Sequence, residues 1–378
     1  MTKRIDRRAI VRALIVFVVA ALAVFAVTTI GSTAMADTAD TATTVAQTSA
    51  IHADAASPAP EDPLDGAPDG GPGTNRIAQN VFNGLVFGLL LALASVGLSL
   101  IYGTTGLSNF AHGEQVSLGA MLAYFFATQQ PVSLPLLPWE FVIGWPLWLA
   151  SIAAIIVAGA TGWLQDRFLW SKLRKRGVKM VQHMIVSIGL SLALLNFLQW
   201  WIGPDRLRVS IAIEERNQVG PIQLGNTTAV SIVIAVAVLL AVAYFLLRTR
   251  LGRATRAVSD NPALAAASGI KVDAIIRLVW IMATSLAALG GILMALYDSG
   301  TKFDVGAKLL LLMFAAVTLG GLGQPFGALV GSLVIGVVVE TSTLWLGPDL
   351  KYATALAILI LVLLVRPQGI LGRAERVG

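Results

Sequence analysis

Apolar residues run through most of the chain in long stretches, which short polar segments separate from Arg76 onward. A helix needs roughly 17 to 25 apolar residues to cross the hydrocarbon core of a bilayer, and the stretches have about this length. They lie near residues 78–102, 107–127, 140–163, 180–202, 229–247, 275–297, 307–323, 326–346 and 352–365. The pattern predicts an all-α polytopic membrane protein with about nine transmembrane helices in a core domain, residues 76–378.

Residues 1–36 are predicted to be a separate unit. A basic start is followed by a continuous apolar run from Ala13 to Ile30, and Ala34-Met35-Ala36 fits the small-x-small pattern of a signal-peptidase site. Two interpretations stay open: a cleaved signal peptide, or a first transmembrane helix that remains in place.

Residues 37–75 differ sharply in composition from the segments on either side. They are rich in Ala, Thr, Asp, Pro and Gly and contain no Lys or Arg. Such a segment has too little apolar surface to offset the entropy lost on ordering. We therefore expect a disordered acidic linker, and its lack of positive charge favours the outer side of the membrane.

Composition excludes several classes of protein. Of the 378 residues, 56% are hydrophobic and only 13% are charged, and the mean hydropathy is +0.77. No soluble core buries so large an apolar fraction, so a polytopic membrane protein is expected. The net charge of +6 is spread over short loops and does not indicate a nucleic-acid partner. Cysteine is absent, which excludes disulfides and thiolate chemistry.

The distribution of Lys and Arg predicts the orientation of the spans, because cytoplasmic loops carry an excess of both. Three segments are basic: residues 164–179, the loop from Arg248 to Asp273, and the tail from Arg366. If residues 37–75 lie outside, nine spans place all three segments inside. The predicted outer loops, such as Gln129 to Trp139, are near neutral. We expect a multi-pass protein of the cytoplasmic (inner or plasma) membrane with a cytoplasmic C-terminus.

Three polar residues, Asn109, His112 and Glu114, lie within a glycine-rich apolar stretch from Val96 to Ala123. Ionisable residues at membrane depth usually face a protein interior or a water-filled path. Two interpretations stay open. The three residues lie near a translocation path, where they bind a polar substrate or hold a broken backbone. Alternatively, they satisfy one another or freed backbone groups and touch no substrate.

The segment from Leu247 to Arg277 carries the signals of a short surface helix. Ser259, Asp260 or Asn261 is a suitable N-cap, and Pro262 is well placed in the first turn. The alanine-rich run that follows favours a helix, and Gly269 supplies a stop. A partner can grip such a helix, but it can equally be a plain connection between two spans.

A second glycine series precedes the C-terminal spans. Its members are Gly320, Gly321, Gly323, Pro325 and Gly327. Proline breaks a helix and glycines let neighbouring backbones approach closely. The series is therefore interpreted as a helix break and packing site, and its spacing does not match a dinucleotide fingerprint.

Four motifs together resemble the branched-chain amino-acid ABC-transporter permeases of the high-affinity leucine/isoleucine/valine uptake type. The first is N-F-A-H-G-E at Asn109 to Glu114, preceded by YGTTGL and followed by LGA. The second, GRATRAVSDNPALAAASGIKV at Gly252 to Val272, resembles the family's coupling segment. TLGGLGQPFGALVGSLVIG at Thr318 to Gly336 and RPQGILG at Arg366 to Gly372 complete the series. The resemblance runs from about residue 78 to the end and leaves residues 1–75 outside it.

This resemblance implies a transmembrane permease domain over residues 76–378 that imports branched-chain amino acids. It also implies a second permease subunit, two ATPase subunits and an external solute-binding protein. The binding protein would dock on the outer loops, chiefly Gln129 to Trp139, Gly203 to Thr228 and Asp298 to Lys308. The implied translocation path or structural polar cluster is Asn109, Phe110, His112, Gly113 and Glu114. The implied ATPase-coupling residues are Asp260, Asn261, Pro262, Ala266, Gly269 and Ile270.

The chain lacks the chemistry of a motor or a metalloenzyme. It has no G-x-x-x-x-G-K-[ST] phosphate loop, so a partner must hydrolyse any ATP, and no cofactor is expected. The histidines are scattered, without the i, i+4 spacing of a zinc helix, so no metal site is expected.

Three rival functions remain. Close relatives carry urea or short amides, although Phe110 in the first motif favours the amino-acid branch. A membrane-embedded enzyme could use His112 and Glu114 as acid and base. A passive channel would need no ATPase.

Overall fold

The computed structural model describes residues 76–133, 140–208, 216–347, 350–365 and 369. The predicted leader or first helix (1–36), the predicted acidic linker (37–75) and most of the C-terminal tail lie outside these residues. The domain boundaries proposed at residues 36 and 75 therefore stay predictions.

Helices make up most of the described structure. The α-helices are α1 (Arg76–Thr105), α2 (His112–Ala127), α3 (Leu147–Gln165), α4 (Ser171–Lys175), α5 (Met180–Ile202), α6 (Asn226–Arg248), α7 (Arg250–Asp260), α8 (Pro262–Ala267), α9 (Val272–Tyr297), α10 (Val305–Gly320), α11 (Pro325–Ser342) and α12 (Lys351–Val365). A π-helical turn, Asp166–Trp170, joins α3 to α4.

Two small antiparallel hairpins lie between helices. The strands β1 (Val132–Ser133) and β2 (Glu140–Phe141) pair between α2 and α3. The strands β3 (Arg216–Val219) and β4 (Ile222–Gly225) pair before α6.

The predicted all-α membrane class is confirmed, and a helix lies at each of the nine predicted spans. Among the described residues, six helices are long and apolar enough to cross a membrane: Arg76–Thr105, Leu147–Lys175, Met180–Ile202, Asn226–Arg248, Val272–Tyr297 and Pro325–Ser342. The helices α2, α10 and α12 have 16, 16 and 15 residues. At 1.5 Å per residue, about 24 Å at most, they fall short of a full crossing by themselves.

Two predicted spans begin too early. The span predicted at 107–127 becomes helical only at His112, because polar side chains capture the backbone before it. Leu107 N donates to Thr105 Oγ1 and Ala111 N donates to Asn109 Oδ1, both at 3.2 Å. The span predicted at 140–163 becomes helical only at Leu147, just after Pro146. Proline disfavours the helical conformation in the residue before it.

The two helices α1 and α9 form the centre of the molecule. In each, 89% of the most apolar window is buried, against 17% in α5. Glycines bring the helices close together. A Cβ on Gly84 of α1 would lie 2.6 Å from the Val337 Cα of α11, and a Cβ on Gly97 would lie 2.8 Å from the Ala283 carbonyl oxygen of α9. Close backbone approach of this kind is typical of membrane helices.

The connections predicted to share a side of the membrane meet in space. At one end, Leu207 pairs with Thr301, and the Arg206 guanidinium donates to the Asp298 carbonyl oxygen. At the other end, Asp166 at the end of α3 binds Arg277 in the first turns of α9. We call these the loop-207 end and the loop-166 end of the molecule.

Candidate functional site

The first feature of the candidate site is a return of the chain between α1 and α2. After α1 ends at Thr105, residues 106–111 are not helical, and α2 begins at His112. The His112 Nε2 lies 3.0 Å from the carbonyl oxygen of Ala94, near the middle of α1. Because a carbonyl oxygen can only accept, Nε2 carries the proton in this contact. The helix α2 therefore starts about half-way along α1, which explains its short length.

The non-helical backbone of this return is satisfied by neighbouring side chains. Phe110 N donates to Ser187 Oγ of α5 at 3.2 Å, and Ala111 N donates to Asn109 Oδ1. Nearby, the first turn of α10 is held in the same way, with Gly306 N donating to Ser117 Oγ at 2.8 Å. Non-helical backbone at membrane depth is tolerated where it is buried in protein or lines a cavity.

A set of buried polar side chains surrounds this return. Asn109, His112, Glu114 and Gln115 have exposed fractions of 0%, 0%, 1% and 0%. Each keeps one polar atom without a hydrogen-bond partner among the described residues: Asn109 Nδ2, His112 Nδ1, Glu114 Oε2 and Gln115 Nε2. Buried polar atoms are normally paired, so such a group needs an explanation. A water-filled path, a passing solute or a partner chain would supply the missing partners.

The side chains of these residues interact with other groups: Asn109 Oδ1 accepts from Ala111 N, His112 Nε2 donates to the Ala94 carbonyl oxygen, and Glu114 lies close to the Ser191 hydroxyl of α5. Sequence reasoning did not identify Gln115, whose Oε1 accepts from Thr161 Oγ1 at 3.2 Å, or Ser187 and Ser191. Gln115 follows Glu114 directly, whereas the serines are distant in sequence and carry no signal of their own.

Two further residues of the N-F-A-H-G-E motif, Phe110 and Gly113, make packing contacts. The Phe110 ring lies 5.2 Å from the Phe314 ring of α10, measured between centroids. A Cβ on Gly113 would overlap the carbonyl oxygen of Gly306. The motif therefore fixes α2 against α10 at the point where α2 begins.

The second feature is the short helix α8. Asn261 caps it, since its Oδ1 accepts from Leu264 N at 2.9 Å, and Pro262 occupies the first turn. At the other end, Gly269 has a φ of +83°, and Ile270 N donates to Ala265 O at 3.0 Å. This is the Schellman arrangement. The helix and stop predicted from the sequence are confirmed here, with Asn261 as the cap.

The surface of α8 is apolar and open. Ala265 is buried against the neighbouring helices, whereas Leu264 is 65% exposed. A cleft beside α8 is lined by Pro262, Ala263, Ala266, Lys271, Val272, Asp273, Ala274 and Arg277. Asp260, at the end of α7, lines a separate cavity with Arg253 and Arg256.

The second glycine series forms the turn between α10 and α11. Gly321 and Gly323 have φ values of +107° and +75°, which favour glycine. Pro325 is the first residue of α11. A Cβ on Gly320 would overlap the carbonyl oxygen of Gly327, so α10 and α11 touch backbone to backbone.

The loop-207 end carries a concave surface with two cations. Its lining includes Tyr124, Gln129, Trp145, Arg206 and Arg208. Within the described residues, no group of three or more His, Cys, Asp or Glu side chains lies close enough to hold a metal ion.

Comparison with known proteins gives one family. The family described as branched-chain amino acid transport system / permease component matches residues 80–364. The high-affinity branched-chain amino acid transport system permease protein LivH of Escherichia coli K12 is 30% identical over 303 residues, which are 79% of this chain and 96% of LivH. BraD of Pseudomonas aeruginosa, named for the same activity, is 31% identical over 310 residues, covering 79% and 96%.

A more distant relative differs in its named solute. The ribose import permease protein RbsC of Escherichia coli K12 is 26% identical over 264 residues, which are 68% of this chain and 76% of RbsC. No solved structure matches the chain.

Proposed function

The chain belongs to the family of branched-chain amino acid transport system permease components, and we propose that it forms part of the route by which an ATP-driven importer takes up leucine, isoleucine and valine. A permease component is a transport subunit and not an enzyme, so the acid–base role considered for His112 and Glu114 is set aside. The chain is a multi-pass membrane protein, and permeases of ABC importers work with ATPase and solute-binding partners.

The coverage of the relatives carries this proposal. The similarity to LivH and BraD spans 96% of each, so it extends over a whole permease and not over an isolated motif. The named solute of these relatives is a branched-chain amino acid, and their identity exceeds that of the ribose permease. The amino-acid assignment is therefore favoured over a sugar, and urea or a short amide is the remaining alternative.

The buried polar cluster is proposed to line or support the route. An amino acid carries an ammonium and a carboxylate, both of which lose water on entering the membrane unless polar groups replace it. The unpartnered atoms of Asn109, His112, Glu114 and Gln115 can supply such contacts. The cluster is bordered by α5, in which only 17% of the most apolar window is buried. A second permease subunit is proposed to cover that side and close the route.

The helix α8 is proposed to dock in the ATPase. Its rigid caps, the exposed Leu264 and the cleft beside Ala266 give a short lever with an apolar tip. The loop-166 end would then be cytoplasmic, in agreement with its Lys and Arg content. The concave surface at the loop-207 end would face outward and receive the solute-binding protein.

Uptake by the reconstituted importer tests this proposal. The chain, its sister permease and its ATPases are placed in liposomes containing ATP, with the solute-binding protein outside, and entry of radiolabelled leucine is followed. We expect leucine entry that depends on ATP and on the binding protein. Excess isoleucine or valine should compete, whereas urea and ribose should not.

Two variants separate the roles of the segments. Removal of Pro262 to Ala267 should abolish both uptake and co-purification of the ATPases, because the lever is lost. Glu114→Gln should lower uptake while the ATPases still co-purify. Competition by urea in place of valine would reassign the substrate, and leucine entry without ATP would indicate a passive channel.

A further inference from the structure

A buried carboxylate ties together the helices at the loop-166 end. Asp166 begins the π-helical turn after α3, and its side chain is 0% exposed. Its Oδ1 accepts from Arg174 Nη2 of α4 at 2.7 Å, and its Oδ2 accepts from Arg277 Nε of α9 at 3.2 Å. Arg174 also lies 3.5 Å from Asp273 in the first turn of α9. We call these four residues the inner ion cluster.

An aromatic stack lies directly beside the inner ion cluster. The Trp170 ring, from the same π-helical turn, stacks on Trp280 of α9 with centroids 5.4 Å apart and planes 17° apart. Trp170 also stacks on His183 of α5, with centroids 6.3 Å apart and planes 18° apart. Both tryptophans are almost fully buried, with exposed fractions of 1% and 0%. The stack therefore extends the connection from α9 through the π-helical turn to α5.

The inner ion cluster shares a wall with the cleft beside α8. Asp273 and Arg277 line that cleft together with Pro262 and Ala266. Only a few residues separate α8 from α9, and Gly269 turns the chain sharply between them. A displacement of α8 therefore reaches the base of α9 at the residues that hold Asp166.

We propose that the inner ion cluster and the Trp170 stack form a rigid joint, which makes α8, the base of α9 and the base of α5 move as one body. This inference rests on the proposed function of α8 as the ATPase-docking lever. Asp166, Arg174 and Arg277 act as positioning residues: they touch no substrate and transmit the movement of α8 to α5. The helix α5 borders the buried polar cluster through Ser187 and Ser191. The joint therefore connects α8 to the proposed translocation route.

The chemistry of the joint suits a rigid connection. A carboxylate removed from water needs full compensation, and two guanidinium groups on different helices give it from two directions. Rotation of α3 against α9 would break one of these contacts and leave a buried charge unpaired. The π-helical turn places Asp166 and Trp170 so that both can reach α9, in keeping with the frequent occurrence of such turns at functional sites.

The first test measures coupling in the reconstituted importer. Asp166→Asn and Arg277→Gln should leave the ATPases bound and ATP hydrolysis running, but leucine entry per ATP hydrolysed should fall at least fivefold. Arg277→Lys keeps the charge and should recover part of the loss. Arg176→Gln is the matched control, since Arg176 is exposed and lies two residues after Arg174, and it should couple normally.

The second test measures movement and does not depend on transport. The chain has no cysteine, so spin labels can be placed at Ala267→Cys, Val181→Cys and Gln129→Cys, taken in pairs. Binding of a non-hydrolysable ATP analogue to the full complex should change the 267–129 distance and leave the 267–181 distance constant. With Asp166→Asn added, the 267–181 distance should also change.

Three results would contradict the joint. The first is a 267–181 distance that changes on nucleotide binding when the inner ion cluster is unaltered, and the second is an unaltered complex in which no distance changes. The third is an Asp166→Asn complex whose coupling and distance changes equal those of the unaltered complex. An equal loss of coupling in Arg176→Gln would show that the loss comes from removing any positive charge at this end, and not from the contacts of Asp166. Failure of the proposed function itself gives a different signature, because the unaltered importer would then show no ATP-driven leucine entry.

Discussion

At the scale of single residues, small side chains and buried hydrogen bonds set how closely the helices approach. Gly119 of α2 lies against Ala288 of α9 so closely that a Cβ would overlap the backbone there. Gly189 of α5, by contrast, has nothing within 4 Å of the position of a Cβ. The two glycines look alike in the sequence, but only the first is required by packing.

This difference predicts the effect of adding one methyl group at each position. Gly119→Ala should lower the free energy of unfolding by about 1–3 kcal/mol, because the helices must move apart or strain. Gly189→Ala should be neutral or stabilising by up to about 1 kcal/mol, because alanine favours a helix. Thermal unfolding of the purified protein in detergent measures both. Equal effects of the two substitutions would contradict the packing seen at Gly119.

At the scale of elements, irregular segments position the candidate site as much as the helices do. The return over residues 106–111 places the start of α2 beside the middle of α1, and the polar cluster exists because of that placement. The helix α8 has only six residues, too few to be stable alone in water. Its caps and the single buried contact of Ala265 therefore hold it in shape.

The cap of α8 can be tested directly. Asn261→Ala removes the acceptor for Leu264 N and should destabilise the helix by about 1 kcal/mol. Opening of the helix should then be about fivefold more frequent, and the amides from Leu264 to Ala267 should exchange hydrogen correspondingly faster. Asn261→Asp keeps the accepting oxygen and should exchange at the native rate. Native exchange in the alanine variant would show that the cap does not hold α8.

At the scale of the whole molecule, α1 and α9 are enclosed by protein, whereas α3, α5, α6 and α12 expose many large apolar side chains. Such surfaces suit lipid and neighbouring subunits. Two of the basic segments, residues 164–179 and the loop from Arg248 to Asp273, meet at the loop-166 end, and the concave surface with Arg206 lies at the loop-207 end. If the loop-166 end is cytoplasmic, α8 faces the cytoplasm and the concave surface faces outward.

Chemical labelling of intact cells tests this orientation. Because the chain has no cysteine, each introduced cysteine reports on one position. Gln129→Cys should react with a membrane-impermeant maleimide added outside, whereas Arg176→Cys should react only after the membrane is opened. Both positions are exposed in the structure, so lack of labelling at both after opening would indicate failed insertion. The opposite pattern would place α8 outside and refute ATPase docking there.

The sequence by itself determined the membrane class, a helix at each of the nine predicted spans, and the start and stop of α8 to within a few residues. These depend on local properties: the length of apolar runs, the positions of proline and glycine, and side chains that bond to their own backbone. Asn109, His112 and Glu114 were identifiable for the same reason, since polar residues stand out in an apolar stretch. Only the tertiary structure decided that α2 begins opposite Ala94, that Gln115 joins the polar group, and that Asp166 meets Arg277. These contacts depend on which helix faces meet. Glycines indicate in the sequence that helices pack closely, but the order of residues does not show which helices pack together.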